Sequence, residues 1–443
     1  MIIQSFLLIQ YLCLIYTKTI TIPLSSSSNL NYLDYTVSSS AFFSLTKNVL
    51  PLMKICIGTP SQCFAFAIDT SSSVTFLQSS KSPTKSFNIT FDETSSSTYE
   101  STEDSLSFYY MLKSLQHYIV KDVISIKDKD DNALKQKDKF VFCILKDTEK
   151  IPLIELGGFI GFSKFTYYKE EFNKYQFSLA KYFGMDIFSL SYSINGTGVI
   201  TGGELSFTES IAELPFCDST DSKDPTSPRG WHCQTEMIQY GDFISNYTAH
   251  VYFQSIFPII QVPNSIGVEL FNHIISKTGN KCISLTEHKK KILRCDEDFD
   301  LNKLENIKIF FESKNGKENY LELHTKLMFE FIHQTIDNKY YYILKMIVSS
   351  IDDIAFVLGE PAFVNNDISF NTNTNIISFF SKPNIPITRR IIPKEVSSFS
   401  KIISFIIIGI IFAFCVFGTV ILFISLNKLN QVFIYDFNIQ TLL

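Results

Sequence analysis

The sequence predicts an all-β protein with a few short helices and one C-terminal membrane-spanning helix. Between residues 40 and 385, short segments rich in Ile, Phe, Val and Tyr alternate with Gly, Pro, Asn and Ser, as in a chain of short strands and turns. Residues Ser265–Lys277 keep the clearest helical period of apolar side chains. The 23 residues from Ile402 to Ile424 carry no charge and are long enough to cross a bilayer as a helix.

Length and composition restrict the function classes. The chain has 443 residues, of which 45% are hydrophobic, so it can build two or three folding units with a large core. Its formal net charge is −5 and it contains no long basic tract, which argues against nucleic acid as a partner. No C-x-x-C motif occurs, so we predict no zinc site, and we predict no other metal and no cofactor.

The two ends of the chain are predicted to lie outside the globular body. The apolar run Phe6–Tyr16 is too short to span a bilayer comfortably and is typical of the core of a signal peptide, which we place at residues 1–20. At the other end we predict a juxtamembrane linker at residues 386–401, the span at residues 402–424 and a short cytoplasmic tail at residues 425–443.

The orientation of the predicted span carries one conflict. Basic residues are more numerous before the span than after it: Arg389, Arg390, Lys394 and Lys401 precede it, and Lys428 follows it. Taken alone, the positive-inside rule would place the large domain in the cytosol. The signal peptide and the cysteines favour the opposite orientation, as do three glycosylation sequons at Asn88, Asn195 and Asn246. We therefore predict a single-pass type I protein, with its ectodomain in the secretory lumen or at the cell surface.

Seven of the nine cysteines lie outside the predicted signal and span, which contain Cys13 and Cys415. Ile55–Phe64 has the pattern of a hairpin turning at Thr59-Pro60, so its two cysteines are cross-strand neighbours close enough for a disulfide. Because an oxidising lumen favours disulfides, and because three pairs each bracket one local loop, we predict three bridges and leave Cys143 free. The predicted bridges are Cys56–Cys63, Cys217–Cys233 and Cys282–Cys295.

The residues of this hairpin and of the strand after it carry a resemblance to a known family. The segment Cys56-Ile-Gly-Thr-Pro-Ser-Gln-Cys63 leads into a strand that ends in Asp69-Thr70-Ser71-Ser72-Ser73. This arrangement resembles the first active-site region of the pepsin-like aspartic proteases, where the strand ends in Asp-Thr-Gly-Ser-Ser. The resemblance implies a bilobal β fold in which each lobe supplies one catalytic aspartate, with Asp69 as the first. An ordinary Asx-turn at a strand end is the alternative interpretation of Asp69.

Six further segments resemble family elements in the same order along the chain. They are Ser97–Tyr110, with Tyr110 as the flap tyrosine; Gly158–Phe162, beside the first aspartate loop; Gly196–Glu204; Ile260–Ser265; the pair Cys282 and Cys295; and Phe356–Phe363 with Ile376–Phe379. The resemblance implies an N-terminal lobe at residues 40–210 and a C-terminal lobe at residues 211–385.

The second catalytic position departs from the family. Counting back from Pro263-Asn264-Ser265, the second motif falls on Gln254-Ser255-Ile256, where the family has Asp-Thr-Gly. Hydrolysis by this mechanism needs two facing carboxylates that share one proton across a water molecule. The amide of Gln254 neither ionises nor supplies a proton. No carboxylate lies between Ala249 and Pro263, so the sequence predicts that the catalytic pair is lost.

Other residues of the two motifs are partly kept and partly changed. Thr70 and Ser255 keep hydroxyl groups, so the resemblance implies that the buried hydrogen bonds between the two loops survive. Ser71 and Ile256 stand where the family has glycine. We expect both to distort the loops, Ile256 above all because a β-branched residue is poorly suited to unusual backbone angles.

These observations predict a membrane-anchored member of the pepsin-like family that is catalytically inactive and binds a peptide or protein in the groove between its lobes. Two alternatives stay open. One is an active or weakly active aspartic endopeptidase of the secretory pathway, in which Asp69 works with a partner that the motif does not reveal. The other is a surface adhesion glycoprotein whose groove has no role.

Overall fold

The computed structural model describes residues 20–26, 30–31, 47–48, 51–82, 89–110, 113–147, 157–163, 175, 177–203, 216–219, 230–287, 289–312, 319–334, 339–349 and 355–382. The described strands of the N-terminal half are β1 (Ile20–Ser26), β2 (Leu30–Asn31), β3 (Lys47–Asn48), β4 (Pro51–Ile57), β5 (Gln62–Asp69), β6 (Phe76–Gln78), β7 (Glu100–Tyr110), β8 (Lys113–Asp122), β9 (Ile124–Lys127), β10 (Ala133–Lys135), β11 (Phe140–Asp147), β12 (Gly158–Gly161), β13 (Ile187–Tyr192) and β14 (Gly198–Gly202). Those of the C-terminal half are β15 (Phe216–Asp218), β16 (His232–Tyr240), β17 (Phe243–Ser245), β18 (Ala249–Phe253), β19 (Ile260–Val262), β20 (Cys282–Glu287), β21 (Lys290–Asp296), β22 (Ile307–Phe311), β23 (Tyr320–Leu323), β24 (Phe329–Gln334), β25 (Lys339–Val348), β26 (Ala355–Leu358), β27 (Asn366–Asn371) and β28 (Ile376–Ser381).

Helices are few and short in the described part of the chain. They are α1 (Leu179–Tyr182), α2 (Asn264–Lys277) and α3 (Glu360–Asn365), with 3₁₀ turns at Glu93–Ser95, Leu301–Lys303 and Thr325–Met328. The helix predicted at Ser265–Lys277 is confirmed and begins one residue earlier. Helix α2 buries one face against the second sheet, because its apolar residues recur at helical spacing. The largest buried residues of that face are Ile266, Leu270, Phe271 and Ile274.

Two large sheets and one short strand pair make up the described fold. In the first sheet the strand order is β15-β28-β27-β13-β14-β1-β4-β5-β12-β6-β11-β8-β7, and β9 pairs with both β4 and β10. In the second sheet the order is β20-β21-β25-β19-β26-β18-β16-β22-β23, with β17 beside β16 and β24 beside β25. Strands β2 and β3 pair with each other. The predicted class, mostly β with few helices, is confirmed for the described residues.

The first sheet crosses residue 210, where the sequence analysis divided the two lobes. Strands β27 and β28, from the end of the described chain, join this sheet through β13. Strand β1 lies on the far side of β14, with Ile22 opposite Ile200. It begins at Ile20, within the predicted signal peptide and before residue 40, the predicted start of the N-terminal lobe. Because Ile22 and Leu24 are buried, β1 is an integral part of the folded body.

An aromatic cluster connects strands from the two halves of the chain. The single tryptophan, Trp231, is fully buried, and its ring lies 5.1 Å from that of Phe370 and 6.4 Å from that of Phe188. Phe188 and Phe370 stack at 5.1 Å across the paired strands β13 and β27. The indole N–H of Trp231 donates to the carbonyl oxygen of Phe162 at 3.4 Å. Rings of this size bury much apolar area, so the cluster fixes β13, β27 and the start of β16 relative to the end of β12.

The three predicted disulfides are confirmed. Cys56–Cys63 joins β4 to β5 and Cys282–Cys295 joins β20 to β21, each between directly paired residues whose Cα atoms are 3.9 Å apart. Cys217–Cys233 joins β15 to β16, with a Cα separation of 5.9 Å. Cys143 is the free cysteine of the described residues, as predicted, and it is buried in β11.

Several predicted features lie outside the described residues. They are the core of the signal peptide, the sequon at Asn88, the linker at residues 386–401, the span at residues 402–424 and the tail at residues 425–443. A search of the described helices finds none with the length and apolar character needed to cross a membrane.

Candidate functional site

Asp69 is the last residue of β5 and is fully buried. Strand β5 runs parallel to β12, with Asp69 beside Gly161, and the carbonyl oxygen of Asp69 accepts a hydrogen bond from the amide of Phe162 at 2.8 Å. A Cβ atom at Gly161 would lie 2.3 Å from the carbonyl carbon of Ser73. The glycine is therefore required for the loop after Asp69 to pack against β12.

The carboxylate of Asp69 is oriented by the residue two positions later. Its Oδ1 atom accepts a hydrogen bond from the amide of Ser71 at 2.8 Å and another from the hydroxyl of Ser71 at 2.5 Å. This is the geometry of an Asx-turn, so the alternative interpretation of Asp69 describes the local backbone correctly. The turn points one carboxylate oxygen at Ser71 while the backbone of Asp69 is held by β12.

The second lobe repeats this arrangement with other side chains. Strand β18 runs parallel to β26, with Phe253 beside Leu358, and the amide of Gln254 donates to the carbonyl oxygen of Leu358 at 3.0 Å. A Cβ atom at Gly359 would lie 2.1 Å from the carbonyl oxygen of Phe257. Gly359 therefore lets the loop after β18 pack against the end of β26, as Gly161 does for the loop after β5.

Four hydrogen bonds join the two loops around a local twofold relationship. The amide of Thr70 donates to Oγ of Ser255 at 3.1 Å, and the amide of Ser255 donates to Oγ1 of Thr70 at 3.0 Å. In turn, the Thr70 hydroxyl donates to the carbonyl oxygen of Phe253, and the Ser255 hydroxyl donates to that of Ile68. Each bond has its counterpart when the lobes are exchanged. Gln254 therefore occupies in the second lobe the position that Asp69 occupies in the first.

The comparison with known families agrees with this geometry. A family model described as eukaryotic aspartyl protease matches residues 52–379, a stretch that contains both loops and both supporting glycines. The chain belongs to the eukaryotic aspartyl protease family. A search of curated proteins finds no individual relative that matches.

Within this aspartyl protease fold, the two catalytic positions differ in charge and in burial. Asp69 is fully buried, whereas the side chain of Gln254 is partly exposed. An ionised carboxylate can accept a proton, but a side-chain amide does not ionise at physiological pH. The site therefore presents one carboxylate and one amide at positions related by the local twofold.

Glu360 is a buried carboxylate that the sequence analysis did not single out. It follows Gly359, its side chain is 5% exposed, and it forms an ion pair with Lys345, whose side chain is 10% exposed. Glu360 and Asp69 both interact electrostatically with Tyr192, a buried tyrosine that also has a side-chain hydrogen bond to Ser255. Burial, together with these two carboxylates, raises the pKa of Tyr192, so its hydroxyl stays protonated. Only the fold brings Glu360 and Tyr192 close to the two loops.

The backbone at the two replaced glycines corrects one expectation. Neither Ser71 nor Ile256 is among the described residues with a positive φ angle, so neither side chain forces a left-handed conformation. The changes act through side-chain contacts instead. The hydroxyl of Ser71 donates a hydrogen bond to Oδ1 of Asp69, and Ile256 fills space in the second loop, where its side chain is buried.

The predicted flap is a β-hairpin formed by β7 and β8. Tyr110 is the last residue of β7 and pairs with Lys113, the first residue of β8, so its backbone lies at the hairpin tip. Met111 and Leu112 lie outside the described residues. The role of Tyr110 as the flap tyrosine stays a prediction.

Two of the predicted glycosylation sites can be located. Asn195 and Asn246 are exposed, and Asn195 lies in the turn between β13 and β14, where its Oδ1 accepts a hydrogen bond from the amide of Thr197 at 3.2 Å. The described residues contain no group of three or more His, Cys, Asp or Glu that could hold a metal ion.

Proposed function

We propose that this chain is a catalytically inactive member of the aspartyl protease family that binds a peptide or protein in the groove between its lobes. The observation that carries the proposal is the position of Gln254, which corresponds to Asp69 through the hydrogen bonds of Thr70 and Ser255. In the family mechanism, one carboxylate takes a proton from water while the other gives a proton to the scissile carbonyl group. With an amide in place of the second carboxylate, this exchange has no donor.

The retained parts of the site support binding as the remaining role. The hydrogen bonds of Thr70 and Ser255 are kept, both supporting glycines are kept, and the β7–β8 hairpin is formed. These contacts hold the two loops in place, so the arrangement around the candidate site is kept although the second carboxylate is absent. A peptide bound in extended conformation is the ligand that suits a groove between two β lobes.

A membrane-anchored, lumenal or cell-surface location completes the proposal. It is supported by the apolar run at residues 402–424, by the apolar N-terminal run and by the exposed sequons Asn195 and Asn246. The three disulfides agree with an oxidising compartment.

The catalytic half of the proposal is tested with the full-length protein in detergent. It should not cleave denatured protein or mixed peptides at any pH from about 3 to about 7, the range in which a coupled carboxylate pair would hold a single proton. Turnover that a transition-state-mimicking inhibitor blocks, and that Asp69→Asn abolishes, would show that the protein is an active protease. Turnover that survives Asp69→Asn would point to a contaminating protease.

The binding half of the proposal is tested with peptides selected from a random library on the same protein. Gln254→Arg, which places a long charged side chain in the groove, should weaken binding of the selected peptides by at least about tenfold. The control Glu236→Lys changes a charge on the exposed face of β16 and should leave binding unchanged. Equal binding by all three proteins would favour an adhesion glycoprotein that does not use its groove.

A residual endopeptidase activity is the second candidate, and Glu360 is the observation that favours it. Glu360 is a carboxylate that is buried near the loops, and it acts on Tyr192 together with Asp69. Its ion pair with Lys345 argues against free exchange of a proton. If the protein cleaves peptides, Glu360→Gln should abolish the cleavage when Glu360 is the partner of Asp69. The same change should leave cleavage unchanged when Glu360 is not that partner.

A further inference from the structure

A separate cavity of about 360 Å³ opens in the second lobe. The loop after β21, strands β24 and β25 and helix α3 form its walls, and Asp69, Thr70, Gln254 and Ser255 do not line it. Lys345 and Glu360 lie in its wall and neutralise each other as an ion pair. The cavity is therefore distinct from the site between the two loops, although Glu360 borders both regions.

The mouth of this cavity is negatively charged. Glu297, Asp298 and Asp300 are exposed and line it. Asp298 is already engaged by Lys281 at 2.8 Å, and this hydrogen bond lowers the pKa of Asp298. Among the described residues, no cation forms an ion pair with Glu297 or Asp300. These two carboxylates are the part of the mouth that can receive a cation from elsewhere.

The lining of the cavity also contains aromatic rings. Phe331 and Tyr342 line the cavity, and their ring centroids are 4.9 Å apart. A planar guanidinium group binds carboxylates through its N–H groups and also lies favourably over an aromatic ring. The same lobe already uses this contact, since the guanidinium group of Arg294 lies 4.0 Å from the ring centroid of Tyr341. A lining that combines carboxylates with aromatic rings therefore favours an arginine side chain as the occupant.

The described chain ends beside this cavity. The amide of Lys382 donates to the carbonyl oxygen of Asn365 at 3.0 Å, and its Nζ donates to that of Tyr192 at 3.2 Å. Val364 and Ile194, which line the cavity, are close neighbours of these two acceptors in sequence. Any segment that follows Lys382 therefore starts within a few residues' reach of the acidic mouth.

We propose that the cavity binds Arg389 and Arg390 of the same chain. The two arginines follow Lys382 by seven and eight residues, and a chain of that length spans up to about 25 Å when extended. They are also the residues that the positive-inside rule leaves unexplained on the lumenal side of the predicted span. Binding to Glu297 and Asp300 gives them a partner and fastens the segment after β28 to the second lobe.

The first test measures the protection of this segment in the full-length protein in detergent. Limited trypsin digestion, followed by mass spectrometry, gives the rate of cleavage after Arg389 and Arg390. Glu297→Gln with Asp300→Asn removes both charges, keeps the side-chain shapes and keeps a residue able to cap the 3₁₀ turn at Leu301. Trypsin cuts Arg389 and Arg390 only when they are released from the cavity, so the rate of cleavage follows the released fraction. This double variant should therefore be cut at least about tenfold faster than the unchanged protein.

The control variant is Glu236→Gln with Glu269→Gln, which removes two exposed carboxylates outside the cavity. Its cleavage rate should equal that of the unchanged protein. Equal rates for all three proteins would overturn the proposal. A second outcome would also overturn it. An added arginine-rich peptide would bind the unchanged protein but not the double variant Glu297→Gln, Asp300→Asn, while trypsin cut after Arg389 and Arg390 equally fast in both proteins. The occupant of the cavity would then be a basic segment of another molecule.

The second test does not depend on protease access. Asp300→Cys combined with Arg390→Cys should form a disulfide that a non-reducing peptide map detects after mild oxidation. Glu236→Cys combined with Arg390→Cys is the matched pair and should not form one. A crosslink in the matched pair at the same yield would mean that the segment contacts the surface without preference, which contradicts the proposal.

Discussion

Thr70 and Ser255 hold the two loops together by exchanging hydrogen bonds of 3.1 and 3.0 Å between backbone amides and side-chain hydroxyls. They are 185 residues apart in sequence, and both are buried. This contact defines where the second catalytic residue belongs, because Gln254 precedes Ser255 as Asp69 precedes Thr70. Because these hydrogen bonds are buried, substitution of either side chain should lower the stability of the protein.

Ser255→Ala should destabilise the protein. The change removes the acceptor for the amide of Thr70 and the donor to the carbonyl oxygen of Ile68, leaving two buried polar groups without these partners. Each such group costs about 1 to 3 kcal/mol, so the free energy of unfolding should fall by about 2 to 6 kcal/mol. Urea unfolding followed by the fluorescence of Trp231 measures it. Ser284→Ala, at an exposed position of β20, is the control and should change stability by less than about 0.5 kcal/mol.

Restoring the second carboxylate should restore proteolysis only when the neighbouring positions are also changed. With Gln254→Asp alone we expect little activity, because buried Ile256 still fills the second loop and Ser71 still binds Asp69. The triple variant Gln254→Asp, Ile256→Gly and Ser71→Gly should exceed the unchanged protein by at least about 100-fold in peptide cleavage. Adding Asp69→Asn to the triple variant should abolish this gain. A single Gln254→Asp variant as active as the triple would show that Ser71 and Ile256 do not limit catalysis.

Cys143 should be inert in the folded protein. It is fully buried, and burial raises the pKa of its thiol, so the reactive thiolate is scarce at neutral pH. Iodoacetamide at a pH of about 8 should leave Cys143 unmodified until denaturant is added. A non-reducing peptide map of the same sample should recover the bridges Cys56–Cys63, Cys217–Cys233 and Cys282–Cys295. Rapid alkylation of Cys143 without denaturant would contradict its buried position.

Glycosylation should report the orientation of the ectodomain. Asn195 and Asn246 are exposed, so both sequons are accessible if they enter the secretory lumen. Treatment of the full-length protein with a glycosidase should lower its mass, and Asn195→Gln with Asn246→Gln should remove most of that change. Unmodified sequons, together with a C-terminal tag that antibodies reach on intact cells, would reverse the orientation and favour the positive-inside argument.

His324 should make the protein less stable in mild acid. Burial lowers the pKa of His324, whose ring nitrogens lie 3.0 Å from Nδ2 of Asn306 and 3.2 Å from the hydroxyl of Ser381. At a pH below about 6.5, the ordinary pKa of histidine, His324 therefore binds a proton in the unfolded chain but not in the folded one. The free energy of unfolding falls as the pH falls from this value towards the lower pKa of His324 in the folded protein. Between a pH of about 7.5 and about 5, His324→Gln should lose less stability than the unchanged protein. Comparing the two proteins at both pH values separates this effect from any loss common to both, and an equal loss in both would exclude His324 as the cause.

Local features of the fold were predictable because they depend on residues near one another in the sequence. The hairpin of β4 and β5 follows from the pattern around Thr59-Pro60 and the two flanking cysteines. The period of apolar residues predicts α2 to within one residue. The absence of a carboxylate between Ala249 and Pro263 is a property of the sequence itself. None of these conclusions needs to know which distant strands meet.

The sequence by itself therefore determined the mostly β class, the family resemblance, the three disulfide pairs and the absence of a carboxylate between Ala249 and Pro263. The tertiary structure decided what depends on long-range pairing: that β1 belongs to the first sheet beside β14, and that Glu360 is buried in an ion pair with Lys345. It also decided the backbone angles at Ser71 and Ile256, neither of which has a positive φ angle. The physical reason is that strand neighbours and buried charges are selected by the packing of the whole core, and residues 183 to 187 positions apart form the contacts between the two loops.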